Sequence, residues 1–153
     1  MNPNSFQPNE STQTMESLPI AMNAGRQSIV VRAPTLKVYE RWSQFENFPR
    51  FITPVREVRR IDDTHFSFTC LRDGKERKCV VRVLLRIPEQ RIAWRTISHG
   101  FASGVVSFER TFNQDTEITL RIRSIYNPST LSHRLEEYLR NFKRLIENSA
   151  PTV

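Results

Sequence analysis

The chain has 153 residues, 38% of them hydrophobic and 25% charged, enough for one domain around one core. It has no stretch of roughly 18 apolar residues, and its N-terminal segment has neither a basic start nor an apolar run. A membrane-spanning helix and a secretory signal are therefore not expected, and the cytoplasm is the expected location. The formal charge of +7 is carried almost wholly by arginine, which suits a nucleic acid, an anionic membrane or an acidic ligand without choosing among them.

Residues 1–25 are rich in Asn, Gln, Ser, Thr and Pro, with only Leu18 and Ile20 as branched aliphatics. Such a segment cannot bury enough apolar surface to offset its ordering entropy, and it is expected to be a disordered polar tail. The folded domain is expected over residues 26–150. Gln27 to Arg32 reads as a first strand, stopped by Ala33-Pro34. Pro34 suits the first turn of a helix, where its missing N–H costs nothing. That helix should present Leu36, Val38, Tyr39 and Trp42 as one face. A second short helical stretch follows from Glu46 to Ile52, interrupted by Pro49.

Strands come next: Val55–Ile61, ended by Asp62-Asp63, then His65–Leu71 with Phe66, Phe68 and Cys70 alternating against Ser67 and Thr69. Asp73-Gly74 is the strongest hairpin signal in the chain. A two-residue turn there sets Cys70 opposite Arg77 and diagonal to Cys79. Diagonal neighbours sit roughly 7–8 Å apart, too far for a disulfide, so two free thiols are expected. Lys78–Ile87 should place Cys79, Val81, Val83, Leu85 and Ile87 on one face and Val80, Arg82, Leu84 and Arg86 on the other. Arg91–Ser98, a turn at His99-Gly100, Phe101–Phe112 and Glu117–Tyr126 complete the strands. Asn127 to Thr130 offers helix caps. From Leu131 to Ile146 apolar residues recur at helical spacing, with Glu136 and Arg140 as a flanking pair, and Pro151 marks the end.

The predicted class is α+β: one strand, two short helices, about six more strands and one long helix. Alternating strands make a sheet with one wet and one dry face. Only the C-terminal helix is long enough to cover the dry face. A sheet curled round a single helix leaves a space, into which aromatic side chains should converge.

The order and the residues together resemble the polyketide cyclase/dehydrase group of the START-like (SRPBCC, helix-grip) superfamily. The resemblance runs from about Ile29 to Ile146. It rests on Ala33-Pro34 with Val38-Tyr39 and Trp42, on Phe45-Glu46-Asn47-Phe48-Pro49 with Phe51, and on Val55 and Val58. It continues through Pro88, Arg91-Ile92-Ala93-Trp94-Arg95, Gly104-Val105 with Phe108, Thr116, Ile118 and Leu120, and Tyr126-Asn127-Pro128. It implies a curved antiparallel sheet of about seven strands around the long C-terminal helix, with a pocket for hydrophobic ligands between them. It implies no shared catalytic residue. Members of the group include cyclases and lipid or quinone binders, and one branch resembles a ribosome-association toxin. Relatives often carry Trp where this chain has Cys79, acidic residues where it has Val80, Arg82 and Leu85, and glycines where it has Ser129-Thr130-Leu131.

The expected ligand-binding residues are Trp42, Phe45, Phe48, Phe51, Phe66, Phe68, Val83, Trp94, Phe108, Leu120, Ile122 and Phe142, with Arg110 and Tyr126 as orienting polar groups. No catalytic residue is assigned, and nothing calls for a metal or cofactor. His65, His99 and His133 lack metal-ligand spacing. Asp62-Asp63 reads as a turn. Ser98-His99 are neighbours that would point apart on a strand. Glycine is scarce, with 4 residues and no phosphate-cradling loop. Arg82, Arg86, Arg91, Arg95, Arg121 and Arg123 are expected on the wet face. Solvated charge is the plain reading of them, and an RNA, ribosomal or anionic-membrane contact the functional one. Three functions are weighed: holding an apolar small molecule (lipid, quinone or polycyclic aromatic), a cyclase acting by shape with Tyr126, Arg110 or Ser124 assisting proton transfer, and docking through the basic face.

Overall fold

The computed structural model describes residues 23–98, 102–124 and 128–148. The expected polar tail up to residue 22, the turn at His99-Gly100, Tyr126, Asn127 and Pro151 lie outside the described residues. The elements are β1 (Asn23–Val31), α1 (Thr35–Ser43), a 3-10 helix (Phe45–Arg50), β2 (Val55–Arg60), β3 (His65–Arg72), β4 (Lys75–Ile87), β5 (Arg91–Thr96), β6 (Ala102–Arg110), β7 (Thr116–Ser124) and α2 (Pro128–Asn148).

The strands form one antiparallel sheet in the order β1-β7-β6-β5-β4-β3-β2. β1 and β2 follow each other in sequence yet stand at opposite edges, so α1 and the 3-10 helix must carry the chain from one edge to the other. They close one end of the curled sheet. α2, at 21 residues about 30 Å long, lies against the concave face and packs on β1. Its apolar stripe, Leu131, Leu135, Tyr138, Leu139, Phe142 and Ile146, is buried throughout. Its C-terminal turn is tied to the β1 end: the Glu147 carboxylate accepts from the Arg32 backbone N–H at 2.8 Å, and Lys143 Nζ donates to the Val30 carbonyl at 2.7 Å.

The Asp73-Gly74 turn forms as expected. Both residues take positive φ (52° and 75°), the conformation of a tight hairpin turn. Cys70 stands opposite Arg77, and Phe68 opposite Cys79. Both cysteines are free.

Four details depart from the alternation read off the sequence. β1 starts at Asn23 rather than Gln27, because Gly25 pairs with Ile122 under α2. A Cβ there would lie 2.9 Å from Leu131 Cγ, so glycine sits in the strand for the room it leaves the helix. In α1 the buried face is Thr35, Val38 and Trp42, while Leu36 is 48% exposed. The short helical stretch is a 3-10 turn from Phe45 to Arg50, with Pro49 inside it.

The fourth departure is a bulge in β4. Val83 pairs with Trp94 but Leu85 pairs with Ala93, so Leu84 is one residue too many. A bulge reverses the inside–outside alternation beyond it. Leu85 is consequently exposed rather than buried, and Arg86 sits opposite the buried Ile92. The Arg86 guanidinium lies over the Phe45 ring, 5.3 Å from its centroid. Arg86 therefore does not belong with the outer-face arginines where the alternation had put it.

Candidate functional site

The inner face is built by period-two alternation: Phe66, Phe68 and Cys70 from β3, Cys79, Val81 and Val83 from β4, Trp94 and Thr96 from β5, Leu120 and Ile122 from β7. α2 faces them with Arg134 and Tyr138. Between sheet and helix remains a cavity of about 350 Å³. That is within the size range of small-molecule sites.

The aromatic residues divide into two groups. Trp42, Phe51, Phe108 and Phe142 pack on one another. The Trp42–Phe142, Phe51–Phe142 and Trp42–Phe51 centroids are 4.9, 5.0 and 5.1 Å apart. Of these four only Trp42 reaches the cavity, as its floor. Phe45, Phe48, Phe66, Phe68 and Trp94 form the wall, with Phe45 and Phe66 edge to face at 4.8 Å. The structure thus brings Trp42, Phe45, Phe48, Phe66, Phe68, Val83, Trp94, Leu120 and Ile122 to the cavity, and sets Phe51, Phe108 and Phe142 behind its floor. Arg110 is exposed at the end of β6 and does not line the cavity. Tyr126 lies outside the described residues.

Several lining residues were not among those expected. Ile52, Pro54 and Val55 follow the 3-10 helix and Tyr138 comes from α2, while Ser124, named above only for proton transfer, lines the cavity as well. Thr96 also lines the wall, and its hydroxyl accepts from the Ala102 N–H at 3.0 Å. Cys70 and Cys79 lie side by side in the wall. Burial, and next the neighbouring Cys79 thiol, push the Cys70 thiol up to about 11. Burial raises Cys79 as well, against the pull of Arg72. Both are neutral thiols at neutral pH and extend the apolar wall. Toward the tip of the β3–β4 hairpin the lining changes to Leu71, Arg72, Arg77 and Lys78. Arg77 and Lys78 are exposed there, whereas Trp42 and Leu120 are buried, so the cavity opens at the hairpin and is closed at α1. The signal for this mouth lay in the hairpin register, which sets Arg77 opposite Cys70 and therefore on the same inner face.

The remaining polar candidates have local roles. Asp62 Oδ1 accepts from the backbone N–H groups of Thr64 and His65, at 2.9 and 2.8 Å, closing the β2–β3 turn. The Thr64 backbone bond and the His65 side chain hold its pKa down at about 2. Ser98 Oγ accepts from the Val80 N–H at 2.9 Å. Glu136 pairs with Arg140. Among the described residues no cluster of His, Cys, Asp or Glu could hold a metal ion, and no helix is long and apolar enough to cross a membrane.

On the outer face like charges meet. Arg26 is directly opposite Arg121, and Arg82 directly opposite Arg95. One row across the sheet runs Arg123, Ser103, Arg95, Arg82. Among the described residues, none of Arg26, Arg82, Arg91, Arg95, Arg121 and Arg123 makes an ion pair. On β5, β6 and β7 the only acids are Glu109 and Glu117, which stand opposite each other.

Known proteins share this architecture. A family described as polyketide cyclase / dehydrase and lipid transport matches residues 31–147, from the last residue of β1 almost to the end of α2. An uncharacterized 17.2 kDa protein of Streptomyces lincolnensis is 27% identical over 124 residues, 80% of this chain and 81% of that one. A Deinococcus radiodurans crystal structure superposes with a TM-score of 0.72 at 23% identity, covering 84% of this chain and 100% of the other. A START superfamily protein of Mycobacterium smegmatis gives 0.63 at 12% identity over 82% and 94%. The Zhui aromatase/cyclase of a Streptomyces species gives 0.61 at 17% identity over 79% and 87%. At these identities the solved structures speak to the fold, which is the START-like helix-grip. With its sheet, its gripping helix and the family match in agreement, the chain belongs to the polyketide cyclase/dehydrase and lipid-transport family.

Proposed function

We propose that the protein holds an apolar small molecule, a lipid, quinone or polycyclic aromatic, in the cavity between sheet and α2. The observation that carries this reading is the unfilled interior: about 350 Å³ walled by Phe45, Phe48, Phe66, Phe68 and Trp94, while Trp42, Phe51 and Phe142 pack ring on ring behind it. Interiors are ordinarily close-packed, so a void of this size forfeits stabilising contacts and is retained for a guest. Native mass spectrometry of gently purified protein tests it, together with displacement of a fluorescent lipid. A bound species and saturable displacement are expected. A bare chain with no displacement rejects the reading. The two neutral thiols suit the cytoplasm as its place of work.

The alternative is a cyclase that folds a flexible chain by shape. Ser124, a lining hydroxyl, and Tyr126 would assist proton transfer. Turnover unchanged in Ser124→Ala and Tyr126→Phe removes these residues from that role.

The opposed arginine pairs favour a second use. Like charges directly across a ladder are destabilising, and a partner anion would relieve them. We read Arg82, Arg91, Arg95, Arg121 and Arg123 as a contact for ribosomal RNA or an anionic membrane. Co-sedimentation with ribosomes and with anionic vesicles at low salt checks it, and absence from both pellets disposes of it.

A further inference from the structure

The cavity is apolar along its length but not at its mouth. Along β4 the lining runs from Val83 and Val81 through Cys79 to Lys78 and Arg77, about 20 Å of strand. The neutral end lies against Trp42 and Phe45. The other end collects Arg72 and Arg77 from the hairpin, Lys78 beside them, and Arg134 from α2. No Asp or Glu lines the cavity. Among the described residues, Arg77 and Lys78 make no ion pair. Within the hairpin, Asp73 occupies the turn and Glu76 stands opposite Leu71, so neither faces Arg77 across the ladder.

We infer that the natural guest is an amphiphile with an anionic head, a carboxylate or a phosphate, seated tail inward. The inference rests on the reading that the cavity holds an apolar molecule, and it adds the polarity and direction of that molecule. The tail lies against Phe66, Phe68 and Trp94. The head stays at the hairpin, within reach of Arg77 and Lys78. An exposed cation attracts an anion weakly by itself, but Arg77 and Lys78 side by side at a mouth lined by no carboxylate select one charge type. The same mouth disfavours a cationic head, and a neutral head gains nothing from it.

Trp42 and Trp94 are the chain's two tryptophans, and both line the cavity, so intrinsic fluorescence reports its filling. The test titrates the full chain with dodecanoate, dodecyl phosphate and dodecanol, each below its aggregation concentration. The two anions are expected to bind at least tenfold more tightly than the alcohol, and the tighter of the two assigns carboxylate or phosphate. The advantage should shrink as salt rises. In the Arg77→Gln, Lys78→Gln double variant, whose sites are exposed and outside the core, the tenfold advantage of the anions over the alcohol should be lost. Equal binding of all three ligands by the unmodified protein, or an advantage that survives the double variant, overturns the inference and leaves the apolar site standing. No binding of any of the three overturns both.

Discussion

Trp94 lies flat over Gly104, its partner on the neighbouring strand, and occupies the space that a side chain there would take. A Cβ built on Gly104 would fall 2.8 and 2.9 Å from Cη2 and Cε2 of the indole. The pair sets the position of one cavity wall, because Trp94 can lie back against the sheet only where its partner has no side chain.

Gly104→Ala is therefore expected to push the indole forward into the cavity. Overpacking of this kind costs roughly 1–3 kcal/mol. Urea denaturation should show the loss of stability. Titration with an apolar ligand should show weaker binding, and tryptophan emission should shift as the ring leaves its bed. An alanine variant with unchanged affinity would mean that Trp94 is not held this way.

Thr116, completely buried on β7, donates its hydroxyl to the Ala33 carbonyl at 2.7 Å and so fixes the bend between β1 and α1. Thr116→Val keeps the shape and removes the donor. Loss of the bond from a buried site should cost about 1–3 kcal/mol, read as a lower urea midpoint at unchanged m-value.

The thiols predict a pH dependence. With Cys70 pushed up to about 11 by burial and by the Cys79 thiol, the folded protein at pH 8 holds only on the order of one part in a thousand of this group as thiolate. Iodoacetamide at pH 8 should modify Cys70 at least tenfold more slowly in the folded chain than in urea, and more slowly again with a ligand in the cavity. The folded chain keeps its proton to higher pH than the unfolded chain does. The stability tied to this proton is fully present below the unfolded pKa near 9, and is lost as pH climbs toward 11.

Arg82 and Arg95 stand opposite each other with no acid between them. Arg95→Glu turns the pair into an attractive one and should stabilise the fold by roughly 0.2–1 kcal/mol at low salt. The gain should vanish near 1 M salt, where screening acts within about 3 Å. The same variant should weaken any binding to anionic vesicles or ribosomes. A variant that is less stable at low salt would show that the two arginines are not in repulsion.

The sequence carried most of the fold, because most of its strands alternate and its Asp73-Gly74 turn fixes a register. Seven strands, two short helical pieces and the long α2 follow from periodicity and punctuation. Periodicity failed where an extra residue enters: the bulge at Leu84 sends Leu85 outward and sets Arg86 over Phe45, and no residue type announces it. It also failed at Gly25, whose place in β1 depends on Leu131, far away in the chain. The aromatic wall was legible as a set. Its division into lining rings and the packed group behind Trp42 was not, since that depends on where α1 crosses the end of the sheet. The place of Arg77 in the cationic mouth could have been found from the hairpin register, but not that of Arg134, which depends on how α2 lies on the sheet.

α2 grips the sheet without filling the space beneath it. Titration of an apolar ligand by tryptophan fluorescence, in the unmodified chain and in a Cys79→Trp variant that places an indole in the cavity, tests this most directly. Saturable one-to-one binding is expected in the first. In the second, binding should weaken at least tenfold, with the urea midpoint maintained. Saturable binding that persists undiminished in a folded Cys79→Trp protein, or no binding by the unmodified chain, would contradict it.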